Sequence, residues 1–179
     1  MFGIPFVTFA LIAINCIIYF RTYGNDRVIE KYGLTVYDVL TRKDYKRLIT
    51  AMFIHLNPLH LFMNMYALWS LGASFEHRYG IIKFIVLYFI LGTLTAITAI
   101  IARNVTGHTS AISAGASGVL YALFGMLLGG MIKTYGFSLM IGGTLYSLFP
   151  LFIMCFIPGM DNYVHISGVV VGLLSGFIL

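Results

Sequence analysis

The chain has 179 residues, of which 60% are hydrophobic and only 9% are charged, and its mean hydropathy is +0.94. A soluble domain carries about 25% charged residues, so this composition excludes a soluble globular protein and indicates an integral membrane protein. The formal net charge is +5, but most basic residues lie between Arg21 and Arg47, mixed with acidic ones. Such a segment is typical of a loop against a membrane or in solvent, and we expect no nucleic-acid partner.

Long apolar segments without period-two alternation predict membrane-spanning helices rather than a β-barrel. A spanning helix needs about 20 apolar residues, within a range of roughly 17–25. Six apolar segments of about this length predict an all-α polytopic membrane protein whose residues 1–179 form one six-helix domain. The predicted spans cover approximately residues 5–20, 58–75, 81–102, 115–132, 137–157 and 163–179.

The connections between these spans differ in length. The first, residues 21–50, is long and polar, but its scattered apolar residues predict short interfacial helices. The fifth span contains Gly142, Gly143 and Pro150, which are either ordinary bends or features of a moving wall that admits a substrate. The remaining connections are predicted as polar turns or loops at residues 76–80, 103–114, 133–136 and 158–162.

Polar residues recur at the starts of three spans. With six spans, the second, fourth and sixth begin at the same membrane face. His60 and Asn64 lie one turn apart in the second span, Ser117 opens the fourth, and His165 opens the sixth. An ionisable residue inside a span is costly and suggests function. One histidine alone would be interpreted as structural, but four polar residues at one depth predict a site.

These residue types fit nucleophilic catalysis. A serine hydroxyl is a poor nucleophile at neutral pH and needs a base within hydrogen-bonding reach. His165 can be that base if the fourth and sixth spans touch, and Gly168 and Gly172, on the face of His165, would permit close packing. His60, Asn64 and the Ser117 amide at a helix N-terminus can donate to an oxyanion. For the glycines alone, ordinary helix packing is the simpler interpretation.

In combination, these residues resemble the rhomboid family of intramembrane serine proteases, from the first span to the sixth. The resemblance implies a six-transmembrane-helix rhomboid-like bundle with a Ser117–His165 catalytic dyad. It also implies that His60, Asn64 and the Ser117 amide form the oxyanion hole. The matching motifs are His55-x4-His60-x3-Asn64, Glu76-x-Arg78, Gly115-x-Ser117-Gly118 with Tyr121, and His165-x2-Gly168-x3-Gly172.

The resemblance also implies supporting roles. Tyr121 is expected to pack against the His165 ring, and Glu76 and Arg78 are expected to brace the turn after the second span. Arg47 stands in the place of the arginine of the family's Trp-Arg motif, whereas Lys46 replaces the tryptophan. The glycines expected to support the site are Gly115, Gly168 and Gly172.

The predicted function is hydrolysis of peptide bonds in transmembrane or juxtamembrane segments of other membrane proteins. Membrane-protein substrates and the lipid bilayer are the expected partners, and no cofactor is expected. No metal site is expected either, because His55 and His60 are five residues apart, the wrong spacing for paired ligands on one helical face. Asp161, four residues before His165, is either the acid of a triad or, as the family resemblance favours, a loop or interface residue.

Two other functions are compatible with the composition. A non-catalytic rhomboid-like chaperone or dislocation factor would be indicated by loss of the serine or the histidine, and this chain has both. A transporter with a proton relay on His60 and His165 should have a polar line across the whole bilayer. The deeper halves of the second, fourth and sixth spans are instead apolar apart from small residues.

The resemblance implies a multi-pass protein of the cell membrane, with a cytoplasmic N-terminus and a site that opens to the outer face. Basic residues favour the opposite orientation, because eight lie on the face of the first loop and three on the other. We favour the orientation that the resemblance implies, since a loop that folds and lies on the bilayer is not a plain connecting loop.

Overall fold

The computed structural model describes residues 3–136 and 161–179, and every regular element in these ranges is a helix. This confirms the predicted all-α class, while the predicted fifth span, residues 137–157, lies outside the described residues. A 3-10 turn (Ala51–Phe53) follows α4, and a π-helical segment (Leu68–Gly72) joins α5 to α6. The α-helices are α1 (Phe6–Thr22), α2 (Asp26–Tyr32), α3 (Val36–Leu40), α4 (Arg47–Thr50), α5 (Pro58–Ala67), α6 (Ala73–Tyr79), α7 (Ile81–Thr106), α8 (Ser117–Tyr135) and α9 (Asn162–Ile178).

Several described helices are suited to a bilayer. α7, with 26 residues, and α8, with 19 residues, are long and apolar enough to cross a membrane. The helical segments Arg47–Phe53 and Pro58–Tyr79 are bent by 100° and add a third candidate if they form one span. α1 and α9 are also apolar but have 17 residues each. The described helices therefore fit a helical membrane bundle with two or three candidate spans.

Helix ends differ from the predicted boundaries. The polar turn predicted at residues 76–80 is helical almost to its end, and the loop predicted at residues 103–114 begins as the last turn of α7. These helices end at Gly80 (φ 79°) and Gly107 (φ 77°), and α8 continues through the predicted turn to Gly136 (φ 76°). Glycine adopts positive φ without a Cβ penalty. The helices therefore end at these glycines and not at the first polar residue.

The buried carboxylate of Glu76 binds the N-terminus of α1. It accepts hydrogen bonds from the backbone N–H groups of Val7 at 2.9 Å and Thr8 at 2.8 Å, and from the Thr8 hydroxyl at 2.8 Å. The first N–H groups of a helix lack intrahelical partners, and the helix dipole favours a negative charge there. Glu76 therefore joins α6 to α1, a contact with a distant helix in addition to the local role that the resemblance implies. Arg78, assigned the same role, is exposed, with its guanidinium 5.6 Å from the Tyr79 ring centre.

We expect Glu76→Gln to lower the free energy of unfolding by about 1–3 kcal/mol, because the amide removes the charge and leaves a buried donor without its acceptor. Thermal or denaturant unfolding in detergent micelles measures this loss. The matched control is Glu30→Gln on α2, where the side chain is exposed. It should change stability by less than about 0.5 kcal/mol. Equal losses in both variants would contradict the capping role.

Arg47 holds together the first connection, whose predicted short helices are present as α2, α3 and α4. Its side chain is buried and donates hydrogen bonds to the carbonyl oxygens of Glu30 at 2.8 Å and Gly33 at 2.7 Å. It also pairs with the carboxylates of Asp38 and Asp44, both at 3.1 Å. One guanidinium on α4 thus bonds groups from α2, from α3 and from the turn between α3 and α4, which makes the connection a folded unit.

Asp38 is the buried acid of this unit. The Thr35 hydroxyl donates to its carboxylate at 2.6 Å and lowers the pKa of Asp38, and the charges of Arg47 and Arg42 lower that pKa further. A carboxyl group with a lowered folded-state pKa contributes stability above its ordinary pKa, and this contribution is lost as the pH falls.

We therefore expect the first connection to keep its amide-exchange protection from neutral pH down to about pH 4, near the ordinary pKa of an aspartate, and to lose it below. Hydrogen exchange of residues 21–50 at several pH values measures this. Asp38→Asn should remove most of the acid-dependent change. Loss of protection between pH 5 and 7 in the unsubstituted protein would exclude Asp38 as its cause.

The segment before α8 is tied to this folded connection. Leu34 and Ser113 exchange two backbone hydrogen bonds, at 2.8 and 2.9 Å. The N–H of Gly115 donates to the carbonyl of Ala51 at 2.9 Å. These bonds fix the chain two residues before Ser117. They position the start of α8 relative to the segment before α3 and the 3-10 turn after α4.

Helices α8 and α9 pack with their backbones in close approach. A Cβ atom at Gly168 would lie 2.6 Å from the carbonyl oxygen of Gly118, and one at Gly172 would overlap the carbonyl oxygen of Ala122. A Cβ atom at Gly125 would likewise overlap the carbonyl oxygen of Val169. The predicted contact between the fourth and sixth spans is thus present, and it requires glycine on both helices.

Candidate active site

Ser117 and His165 meet where α8 and α9 begin. The Ser117 hydroxyl lies 3.1 Å from Nε2 of His165, within hydrogen-bonding distance. Both side chains are buried, with exposed fractions of 5% and 1%. A nucleophile and a base in hydrogen-bond contact form the arrangement that activates a serine.

Tyr121 orients the imidazole. Its ring is stacked on the His165 ring, with 4.2 Å between centres and 27° between planes. Among the described residues, Nδ1 of His165 has no hydrogen-bond partner. Asp161 bonds elsewhere, so the triad considered for this residue is not formed. The position of His165 is set by packing against Tyr121 and not by a carboxylate.

His60 faces Ser117 across Gly115. Asn57 caps α5 by accepting the His60 N–H at 2.8 Å, and Nδ1 of His60 accepts a long hydrogen bond, 3.5 Å, from the Leu56 N–H. With Nδ1 as acceptor, Nε2 carries the proton and can donate. A Cβ atom at Gly115 would lie 2.7 Å from this Nε2 and 3.8 Å from the Ser117 hydroxyl. Gly115 also has φ +118°, so both space and backbone conformation require glycine there.

Two further donors are available near this point. Asn64 is fully buried one turn after His60, and its Nδ2 donates to the His60 carbonyl at 2.8 Å, which leaves one amide hydrogen free for another acceptor. The backbone N–H of Ser117 is in the first turn of α8, which has no side-chain cap. An anion between these groups would meet side-chain and backbone donors and the positive end of a helix dipole.

His55, the first histidine of the motif, packs beside His60 and does not contact Ser117 or His165 through a hydrogen bond among the described residues. Their ring centres are 5.2 Å apart, and His55 is 6% exposed. Within residues 3–136 and 161–179, no three His, Cys, Asp or Glu side chains are grouped as metal ligands would be.

An ion pair that was not predicted from the sequence connects the segments that carry Ser117 and His165. The Arg103 guanidinium lies 2.6 Å from the Asp161 carboxylate and donates to the Ala111 carbonyl at 3.0 Å. Asp161 also accepts the Val164 N–H at 3.2 Å and so caps α9. The pair therefore connects the end of α7, the loop before Ser117 and the helix that carries His165. Its signal in the sequence was an acidic residue at a helix N-cap position and a basic residue near the end of a span.

A small cavity adjoins Ser117 on the side of α7. Its volume of about 30 Å³ is enough for one or two water molecules. Thr95 and Asp161 line it, and the Thr95 hydroxyl and one Asp161 oxygen are buried without a partner among the described residues. Thr95 is a second residue that the sequence analysis missed, although a hydroxyl in an apolar span was its signal.

Comparison with known proteins gives one family. A family model described as a rhomboid domain matches residues 42–179. The Arabidopsis thaliana protein RHOMBOID-like protein 6, mitochondrial, is 31% identical over 156 residues, which is 84% of this chain and 49% of that protein. Rhomboid protease GluP of Bacillus subtilis (strain 168) is 25% identical over 97% of this chain and 34% of its own length. Inactive RHOMBOID-like protein 8 of Arabidopsis thaliana is 29% identical over 78% of this chain and 40% of its length. The chain thus spans half or less of the length of these relatives.

Proposed function

This chain belongs to the rhomboid family, and on that premise we propose that it is an intramembrane serine endopeptidase with Ser117 and His165 as its catalytic dyad. The observation that carries the proposal is the 3.1 Å contact between the Ser117 hydroxyl and Nε2 of His165. Burial of both groups and the stacked Tyr121 ring support it, because a fixed imidazole keeps its nitrogen directed at the nucleophile.

The reaction begins when the Ser117 hydroxyl attacks the scissile carbonyl carbon and gives its proton to Nε2 of His165. The tetrahedral intermediate collapses, the C–N bond breaks, and His165 returns the proton to the leaving amine. A water molecule then attacks the acyl ester and gives a proton to His165. The intermediate collapses, the bond from the acyl carbon to the serine oxygen breaks, and the fragment with the new carboxyl group leaves as His165 returns the proton to Ser117. The small cavity beside Thr95 would hold water close to the ester.

The oxyanion of both tetrahedral intermediates accepts hydrogen bonds from His60, Asn64 and the Ser117 amide. These donors are held in place before substrate arrives, since Asn57 caps the helix of His60 and Asn64 is fully buried. Preorganised donors stabilise the transition state more than the ground state.

We expect Asn64→Ala to lower kcat by up to ~10²–10³, because one preorganised oxyanion donor commonly contributes that much, and to leave KM nearly unchanged. Steady-state cleavage of a reconstituted transmembrane substrate separates the two constants. Asn104→Ala, at an exposed position late in α7, is the matched control and should keep full turnover. A rise in KM at constant kcat for Asn64→Ala would assign this residue to substrate binding instead.

The substrates are transmembrane or juxtamembrane segments of other membrane proteins. A helical carbonyl is already hydrogen-bonded, so a substrate helix must unwind locally to reach Ser117. Side-chain space around Gly115 and Gly118 is small, which favours a small residue before the cut bond. No cofactor takes part.

We place the protein in the cell membrane with its N-terminus in the cytoplasm and its active site open to the outer face. The count of basic residues that opposes this orientation falls from eight against three to six against three when two buried arginines are set aside. Arg47 and Arg103 are buried in ion pairs with acidic residues, so they do not act as free cationic loop charges.

Labelling with a fluorophosphonate probe, followed by peptide mapping, tests the proposal. Modification of Ser117 in the membrane-embedded protein is the expected result, and Ser117→Ala should abolish it. Ser167→Ala is the matched control and should still be labelled. Ser167 lies on α9 and is buried like Ser117, but the hydroxyl that contacts His165 is that of Ser117. Absence of labelling in the folded protein would favour a non-catalytic rhomboid-like chaperone, the alternative consistent with a similar protein described as inactive.

A further inference from the structure

A second cavity, of about 500 Å³, lies at the opposite end of the bundle from Ser117. Its walls come from the π-helical segment, α6, the C-terminal half of α8 and the end of α9. Ser117 and Lys133 are both on α8, and a rise of 1.5 Å per residue separates them by roughly 24 Å along the helix axis. The hydrocarbon core of a bilayer is about 30 Å thick. With Ser117 at shallow depth below one face, the cavity lies at the other face of the membrane.

The cavity has a cationic rim and apolar walls. Arg78 and Lys133 are its charged lining residues, while Phe75, Met126 and Leu127 contribute apolar surface. Neither cation pairs with an acidic residue among the described ranges, and residues 137–160 contain no aspartate or glutamate. A net positive charge therefore faces a space of the size that binds small molecules, at the depth of lipid headgroups.

Aromatic side chains add to this character. The Tyr79 ring stacks on Phe75, with 5.6 Å between ring centres, and lies under the Arg78 guanidinium. Tyr135, which also lines the cavity, is 60% exposed. Tyrosines are enriched at the interface between hydrocarbon and water, where their hydroxyls meet headgroups and their rings meet acyl chains.

We propose that this cavity binds one anionic phospholipid, with its phosphate between Arg78 and Lys133 and its acyl chains against the apolar wall. Basic pockets between membrane helices bind the headgroups of anionic lipids by this combination of charge and apolar surface. A soluble phosphate ion would use the cations but leave the apolar wall without a partner. The bound lipid touches α6 and α8 together, so it stabilises the packing of these helices. This proposal goes beyond the proteolytic function and does not depend on it.

The test compares the purified chain in nanodiscs of phosphatidylcholine alone and with added phosphatidylglycerol. Native mass spectrometry measures lipid retention, and thermal unfolding measures the change in Tm. Arg78→Gln, Lys133→Gln and the double variant remove the charges. Lys83→Gln is the matched control, since Lys83 is an exposed cation at the start of α7, on the same membrane face, but does not line the cavity.

We expect phosphatidylglycerol to be retained and to raise Tm in the unsubstituted chain, in Lys83→Gln and in Ser117→Ala. The double variant should bind at least about tenfold more weakly and lose the rise in Tm. Equal retention in the double variant would overturn the proposal, as would an equal rise in Tm with inorganic phosphate. It would also be overturned if the substitutions lowered Tm equally in both lipids, because the cations would then only balance the partial negative charge of the helix C-termini. Lipid retention and Tm are both measured without a cleavage assay. The result therefore tests lipid binding even if the chain proves not to be a protease.

Discussion

Ser117→Ala and His165→Ala are each expected to abolish detectable cleavage of a transmembrane substrate, with turnover falling by on the order of 10⁴–10⁶. Removing the hydroxyl removes the nucleophile, and removing the imidazole removes the base that takes its proton. The two groups are 3.1 Å apart and act as a unit, so the double variant should be no slower than either single variant. Cleavage of a reconstituted substrate measures all three rates.

Stability measurements separate loss of chemistry from loss of fold. Ser117→Ala removes one hydrogen-bonding atom at a helix start and should melt close to the unsubstituted protein. His165→Ala leaves a space beside the Tyr121 ring and should melt lower while remaining folded. Near-normal turnover in well-folded Ser117→Ala would exclude Ser117 as the nucleophile.

Gly172→Ala is expected to give the second large effect, a loss of stability of about 1–3 kcal/mol or more together with a loss of activity. The added Cβ atom would overlap the carbonyl oxygen of Ala122 and lie 2.7 Å from the Met126 amide nitrogen. Both atoms belong to the backbone of α8, so α9 must move away as a body. A displacement of about 1 Å can lower turnover by about 10²-fold, because His165 moves with α9.

The matched control for this prediction is Gly130→Ala on α8. A Cβ atom at Gly130 would meet only the Gly176 carbonyl oxygen, at 3.9 Å, which is an ordinary contact. Alanine also has a helix propensity that is better than that of glycine by up to about 1 kcal/mol. Unchanged or slightly higher Tm is therefore expected. If Gly172→Ala melted and cleaved like Gly130→Ala, the close backbone approach would not exist in the membrane.

Features repeated along the chain were predictable from the sequence. Apolar segments gave the helical class, and the polar residues at three span starts identified Ser117, His165 and His60 before any geometry was known. The glycines at 168 and 172 predicted which helices touch. Each of these inferences needs only the period of a helix and the chemistry of a side chain in an apolar medium.

Features that depend on a distant partner were not predictable in the same way. The sequence indicates a structural role for Glu76 but not that its carboxylate accepts from the N–H groups of Val7 and Thr8, because 68 or more positions separate them. The Arg103–Asp161 ion pair could not be predicted from the sequence for the same reason. Helix ends were misplaced since polar residues can continue a helix until a glycine at positive φ ends it.

The π-helical segment Leu68–Gly72 has a consequence for how this chain can change in length. A π-turn closes one residue later than an α-turn, so it holds one residue more than a regular helix would. Before the segment, Asn64 donates to the carbonyl of His60; after it, Glu76 accepts from the first turn of α1. Deleting a residue here, such as the half-exposed Trp69, would remove the extra residue and leave a regular α-helix, so Glu76 would keep its place beside Thr8. A chain shorter by one residue between Asn64 and Glu76 could therefore keep both contacts, which makes this segment a position where a change in length is tolerated.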